Sequence, residues 1–206
     1  MTFDNKDLYR SGAARDSENL KTVFEQMNYH VEECTDFTKL DTLKKFNDIT
    51  KRNDIDSLVL FFLSHGKGVN DFQTKDGSSL NVTDIMYHFS NTNCPGLRGK
   101  PKILLFNFNR VDFKQSNLEY DSVPKRDLEL PKDMTIVHAS LPNFMAYRST
   151  ITGTLFVSSL CKVLCDFAQT KDLNDIVVET SQLMQSENGS TASYTSIDMM
   201  KKFYFM

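Results

Sequence analysis

The stretch SLVLFFLSHG, residues 57–66, is apolar almost throughout and ends in a glycine. A second stretch, GKPKILLFNFN at residues 99–109, opens with glycine and proline, and DMTIVHASL at residues 133–141 is a third. Short apolar runs without polar alternation are typical of strands covered on both faces of a sheet. We therefore expect three buried strands, with the first of them at the centre of a sheet.

The spacing of apolar side chains predicts helices between these strands. Leu20, Val23, Phe24 and Met27 follow the i, i+3, i+4, i+7 pattern, which predicts a helix over 17–29 with Asp16 or Ser17 as its N-cap. Further elements are predicted as helices over 38–49, 82–90, 154–168 and 173–184, and as a last strand over 196–205. Strands alternating with helices indicate an α/β fold with a mostly parallel sheet and helices on both faces.

Composition limits the class of protein. The 206 residues suit one domain, and 40% hydrophobic residues with 25% charged residues are ordinary for a globular chain. The net charge of −3 argues against a protein that coats nucleic acid. Four cysteines without a Cys-x-x-Cys pair or a His cluster predict reduced thiols, with no metal or other cofactor. The sequence shows neither a signal peptide nor a membrane-length apolar run, so we expect a cytoplasmic protein without a membrane partner.

Polar residues follow the first two predicted strands. Ser64, His65 and Gly66 end the first strand, and Asn107 to Arg110 end the second. Functional groups in parallel sheets gather where strands end and loops begin. The two strand ends are therefore expected to form one site.

These strand ends resemble the caspases, cysteine proteases that cleave after aspartate. FLSHG at 62–66 is similar to the strand end with the catalytic His, and KPKILLFNFNRV at 100–111 to the strand that leads to the nucleophile. RSGAARDSENL at 10–20 is similar to the family's segment before the first long helix. ASLPNFMAYRSTITGTLFVSSLC at 139–161 resembles the stretch with the substrate-binding Arg. The resemblance covers the chain from residue 10 onward, and the stretch before it is short, as if the family's first strand were trimmed and no long prodomain existed.

The resemblance implies a caspase-like three-layer α/β/α sandwich in a single domain, 1–206. Within it, 1–110 corresponds to the large subunit, 111–132 to the linker between subunits, and 133–206 to the small subunit. The charged linker contains two prolines, and its default interpretation is a surface loop. The alternative is a processing segment, with Asp121 as a weakly indicated cleavage position.

The chain departs from the family at the nucleophile. The signature Gln-Ala-Cys-[Arg/Gln/Gly]-Gly is replaced by Asn107, Phe108, Asn109, Arg110 and Val111. A cysteine reacts as its thiolate, whereas the lone pair of an amide nitrogen is delocalised into its carbonyl. Position 109 is therefore expected to be inert, and the chain is expected to be a pseudoenzyme.

Other family positions are retained. Arg10 and Arg148 match the two arginines that hold the substrate aspartate in the family. Arginine suits this role because its guanidinium group binds a carboxylate through two hydrogen bonds. His65 and the Gly66 amide match the general base and an oxyanion donor. The site is therefore expected to be able to bind acidic peptides without cutting them, with Asn107 weakening that pocket because it is shorter than Gln.

The end of the chain, TSIDMMKKFYF at 195–205, resembles the family's dimerisation strand. An unpaired sheet edge invites another chain. The expected interface consists of Thr195, Ser196, Ile197, Asp198, Met199, Met200 and Lys201.

These features lead to one main hypothesis and two alternatives. The main one is an inactive caspase homologue that pairs with an active caspase paralogue and raises its activity, in apoptosis-type signalling; a homodimer is a further possibility. The first alternative is a dominant-negative inhibitor or a decoy for caspase substrates. The second is a working cysteine protease whose nucleophile has moved to another thiol.

Overall fold

The computed structural model describes residues 12–111, 130–149 and 153–205. Its main sheet has four described strands in the order β1-β4-β5-β8. They are β1 (Leu58–Leu63), β4 (Lys102–Asn107), β5 (Met134–His138) and β8 (Ser193–Ile197). The first three are parallel and β8 is antiparallel to β5. The predicted mostly parallel α/β sheet is confirmed, and it joins strands from 1–110 with strands from 133–206.

Helices cover both faces of this sheet. Alternate residues of β4 point to opposite sides, so Ile103 and Leu105 join one buried cluster while Leu104 and Phe106 join another. The first cluster contains side chains of α1, α4 and α5, and the second those of α2 and α3. The helices are α1 (Ala13–Gln26), α2 (Lys39–Thr50), α3 (Val82–His88), α4 (Leu155–Phe167) and α5 (Leu173–Asn188). The result is the predicted three-layer α/β/α sandwich.

Local signals explain most helix starts. Thr38 and Asp41 form a reciprocal capping box at the start of α2, and the Asp172 side chain accepts two backbone N–H groups at the start of α5. The predicted start of the first helix is wrong, because α1 begins at Ala13 after Gly12 rather than at an Asp16 or Ser17 cap. Asp16 instead lies buried in the first turn, where its Oδ1 accepts the Thr154 N–H over 2.8 Å. Sequence spacing could not reveal this long-range bond.

The predicted central position of the first strand is also wrong. Among the residues that the structure describes, β1 pairs with β4 alone and lies at the end of the strand order, so five of its six residues are only half-buried. The strand buried along its whole length is β4.

The last strand is shifted relative to its prediction over 196–205. β8 begins at Ser193 and ends at Ile197, because Asp198 has a left-handed backbone conformation with φ 53°. Beyond it the Phe203 carbonyl accepts the Leu173 N–H, and Phe205 is buried against Phe24. The aromatic tail therefore packs into the core instead of extending the strand.

Among the described residues, two short antiparallel strand pairs were not predicted. β2 (Asp71–Gln73) pairs with β3 (Ser79–Asn81), and β6 (Arg148–Ser149) pairs with β7 (Gly153–Thr154). Strands of two or three residues carry too few side chains to show a period.

Candidate functional site

The site lies where β1 and β4 end. Leu63 pairs with Asn107 in the parallel register, and the Ser64 N–H donates to the Asn107 carbonyl over 3.3 Å. Because the strands run in the same direction, the residues that follow them emerge at the same edge of the sheet.

Gly66 packs directly against Asn109. A Cβ at position 66 would lie 1.7 Å from the carbonyl oxygen of Asn109, so glycine alone fits there. The half-buried His65 precedes it, and the His65 carbonyl accepts the Gln73 N–H over 2.8 Å. The structure therefore brings the His65-Gly66 pair and position 109 into one place.

Asn109 is half-buried and its side chain is engaged. Its Oδ1 accepts the backbone N–H of Ala146 over 2.9 Å. Ala146 belongs to the segment that follows β5, so the carboxamide joins the end of β4 to a neighbouring loop. The residue type at position 109 does not by itself predict this bond.

Phe108 is a core residue. It is buried, and its ring lies 5.4 Å from that of Phe72 and 6.1 Å from those of Phe106 and His138. Phe108, at the position where the family signature has Ala, is thus part of an aromatic cluster at the end of the strand.

Asn107 is also buried, and it faces β7. Its Nδ2 donates to Thr154 Oγ1 over 2.7 Å, while its Oδ1 has no partner within the described ranges. Thr154 in turn donates its N–H to Asp16. The sequence analysis missed Asp16 and Thr154 as site residues, because their contact joins positions 138 residues apart.

Arg148 lies exposed on β6, close to the start of α1. A Cβ on Gly12 would approach the Ser149 carbonyl to 2.8 Å, which shows how near the two elements are. Arg10, two residues before Gly12, lies outside the described residues, as does Asp121. The proposed arginine pair is therefore represented by Arg148 alone.

Arg110, the residue after Asn109, is buried beside the site. Arg110 donates to the Val69 carbonyl over 2.9 Å, to Asn70 Oδ1 over 3.1 Å and to the Ser140 carbonyl over 3.5 Å. Burial lowers the pKa of its guanidinium group. The neighbouring His138 stacks on Phe106, and burial together with the charge of Arg110 lowers the pKa of its imidazole to about 3. His138 is therefore a neutral core residue at neutral pH.

Burial affects the thiols of three of the four cysteines. Cys94 and Cys161 are buried, and burial raises the pKa of the Cys161 thiol to about 12. Cys34 is exposed, yet partial burial of its thiol raises its pKa as well. Cys165 is exposed on α4, a helix of the layer that covers one face of the sheet.

Only part of the predicted dimer segment belongs to a strand. Thr195 and Ser196 are exposed and Ile197 is half-buried in β8, at the end of the described strand order. Asp198 to Lys201 follow the strand, so their assignment to the edge strand was wrong. Met199 packs against the core and Met200 is exposed.

None of the helices within the described ranges is both long enough and apolar enough to cross a membrane.

Known proteins resemble this chain along its full length. The family model for the caspase domain matches residues 1–204. The chain is 25% identical over 240 residues to Caspase Dronc of Drosophila melanogaster, covering 100% of the chain and 53% of the relative. It is 28% identical over 230 residues to Caspase-1 of Equus caballus, covering 98% of the chain and 56% of the relative. The chain thus spans about half the length of these curated relatives.

A solved structure agrees with the fold. The crystal structure of Caspase-1 from Spodoptera frugiperda superposes with a TM-score of 0.83 at 22% identity, over 99% of this chain and 85% of that chain. The sandwich is therefore caspase-like, as the resemblance implied. Taken with the family model, the fold and the strand ends at His65 and Asn109 lead to one conclusion: the chain belongs to the caspase family.

Proposed function

We propose that this chain is a catalytically inactive caspase homologue that regulates an active caspase by heterodimerisation. The observation that carries the proposal is the carboxamide of Asn109, which lies beside Gly66 at the position matching the family's nucleophile. An amide nitrogen has no available lone pair, so His65 has no group there to activate. Loss of one member of a concerted site removes most of its rate.

The surroundings of Asn109 support this interpretation. Its Oδ1 is committed to Ala146, and the adjoining Phe108 is locked into an aromatic cluster. Val111, where the family has glycine, is β-branched and restricts the backbone. A displaced nucleophile is disfavoured at three of the four cysteines, because burial raises the pKa of Cys34, Cys94 and Cys161 and thereby lowers their thiolate fraction.

The edge of the sheet supports pairing with another caspase. Tyr194, Thr195 and Ser196 of β8 are exposed, and a flat exposed edge accepts a second strand. A partner that binds the competent conformation of an active caspase better than its resting one shifts the population toward activity. We infer that activation follows from such pairing, because the sandwich and the edge strand are what an ordering scaffold requires.

Arg148 supports a role for acidic peptides as ligands. Arg148 is exposed on β6, whose next residue, Ser149, lies beside Gly12 at the start of α1, and its guanidinium group can receive a carboxylate. The free thiols of all four cysteines fit a cytoplasmic setting.

The test is a titration of this protein into a limiting amount of an active caspase from the same organism. The rate of hydrolysis of an aspartyl peptide by the mixture is expected to rise with added protein and to saturate as the complex forms. A falling rate would support the inhibitor or decoy hypothesis instead. An unchanged rate, with no complex in sedimentation, would contradict regulation in either direction.

A further inference from the structure

The loop between β5 and β6, residues 139–147, is anchored at its start, where the Ala139 N–H donates to the Phe106 carbonyl over 2.9 Å and Arg110 donates to the Ser140 carbonyl over 3.5 Å. Within the described ranges, three further hydrogen bonds join residues 143–147 to other parts of the protein. The Asn143 N–H donates to the Arg110 carbonyl over 2.8 Å, and the Ala146 N–H donates to Asn109 Oδ1 over 2.9 Å. The Tyr147 carbonyl accepts the Leu155 N–H over 3.1 Å. Two of these bonds join backbone to backbone and do not depend on which side chain is present. Of the three bonds in residues 143–147, the one to Ala146 requires a particular side chain, an acceptor at position 109.

Little else holds the middle of this loop. Phe144, Met145 and Tyr147 are 62%, 59% and 48% exposed, and Ala146 alone among the four packs against the core. A segment with few buried apolar contacts opens easily unless hydrogen bonds restrain it. The bond at Ala146 is therefore a major restraint on the exposed stretch.

Asn109 is itself held rigidly. The close approach of Gly66 fixes its carbonyl, and the next residue, Arg110, is buried with bonds to Val69 and Asn70. An acceptor presented from a fixed backbone loses little entropy when it binds its donor. A thiol in the same place is a weak acceptor, so cysteine could not replace this bond.

We propose that Asn109 is a positioning residue whose carboxamide oxygen fixes the 139–147 loop through the amide of Ala146. The substitution at the family's nucleophile position then supplies a structural bond in addition to removing a thiol. The exposed Phe144, Met145 and Tyr147 are thereby presented at a defined place beside the site. This inference concerns loop order and does not depend on catalytic inactivity or on any partner.

Amide hydrogen exchange at Ala146, followed by NMR on the full chain, tests the proposal. Asn109→Leu keeps the size of the side chain but removes the acceptor, and it is expected to speed exchange at Ala146 by about tenfold or more. Asn109→Asp retains an acceptor and is expected to keep the protection. The amides of Leu58 and Ile176, which bond to backbone carbonyls outside this loop, are internal controls for global unfolding.

Equal protection of Ala146 in the parent chain and in Asn109→Leu would overturn the proposal. So would loss of protection in Asn109→Asp equal to that in Asn109→Leu, because the role would then not depend on an acceptor. A second measurement uses the unaltered protein, so it does not depend on whether the variants fold. Scalar coupling across the hydrogen bond, between the Ala146 amide nitrogen and the Asn109 side-chain carbonyl carbon, is expected, and its absence would contradict the bond itself.

Discussion

Gly66 occupies the closest contact between the two strand ends that form the site. A methyl group there would meet the backbone carbonyl of Asn109, which cannot move as a flexible side chain could. We predict that Gly66→Ala lowers the free energy of unfolding by about 1–3 kcal/mol, the usual cost of overpacking. Urea unfolding measures the change. Gly68→Ala is the matched control, because its Cβ would lie 3.6 Å from Asp71 Oδ2, an ordinary contact. Equal stability of the two variants would show that the strand ends have room to separate.

Position 109 also allows a test of how much chemistry the site retains. The Asn109→Cys variant supplies a thiol at the position next to Gly66, but it gives up the bond to Ala146 and leaves Phe108 and Val111 in place. A misplacement of about 1 Å lowers a rate by about a hundredfold. We therefore predict that this variant hydrolyses an aspartyl peptide at less than about a hundredth of the rate of an active caspase assayed alongside. Robust turnover would mean that the neighbours of position 109 do not distort the site.

At the scale of elements, the strand β8 carries the proposed interface. A lysine at the centre of an edge strand opposes pairing with another chain. Thr195→Lys is therefore expected to weaken the complex with an active caspase at least tenfold, as measured by sedimentation of the mixture. Leu40→Lys adds the same charge at an exposed position of α2, which packs against β1 at the other end of the strand order, and it is expected to leave the complex intact. If both variants bind as the parent does, β8 is not the contact.

The elements also show which features can be predicted from sequence. β4 and α4 were predicted because burial makes them apolar along most of their length, and α2 because Leu40, Leu43 and Phe46 follow a helical spacing. The end of β8 was missed because the positive φ of Asp198 and the burial of Phe205 depend on tertiary packing.

The candidate site, too, contains features that can be predicted from the sequence and features that cannot. The proximity of His65 and Asn109 follows from the rule that parallel strands end at one edge. The bonds from Asp16 to Thr154 and from Asn109 to Ala146 join residues far apart in the chain, and no local pattern encodes them.

At the scale of the whole molecule, His138 links stability to pH. Its pKa is about 3 in the folded protein and near 6.5 in the unfolded chain, so between these values the unfolded chain binds more protons. Its contribution to stability is therefore present above pH 6.5 and is lost as the pH falls toward 3. We predict that the free energy of unfolding falls by about 1 kcal/mol more per pH unit in this window than in His138→Phe, which cannot titrate there. Parallel pH profiles for the two proteins would contradict a buried neutral His138.

The regulatory account requires the molecule to act by contact and not by peptide-bond hydrolysis. The most direct test incubates the purified chain with an aspartyl peptide, with and without prior alkylation of its four thiols, and follows peptide release. The account predicts no release above the uncatalysed background in either sample. Release that alkylation abolishes, accompanied by an acyl adduct on one of the chain's own cysteines, would show that this caspase homologue is a working protease.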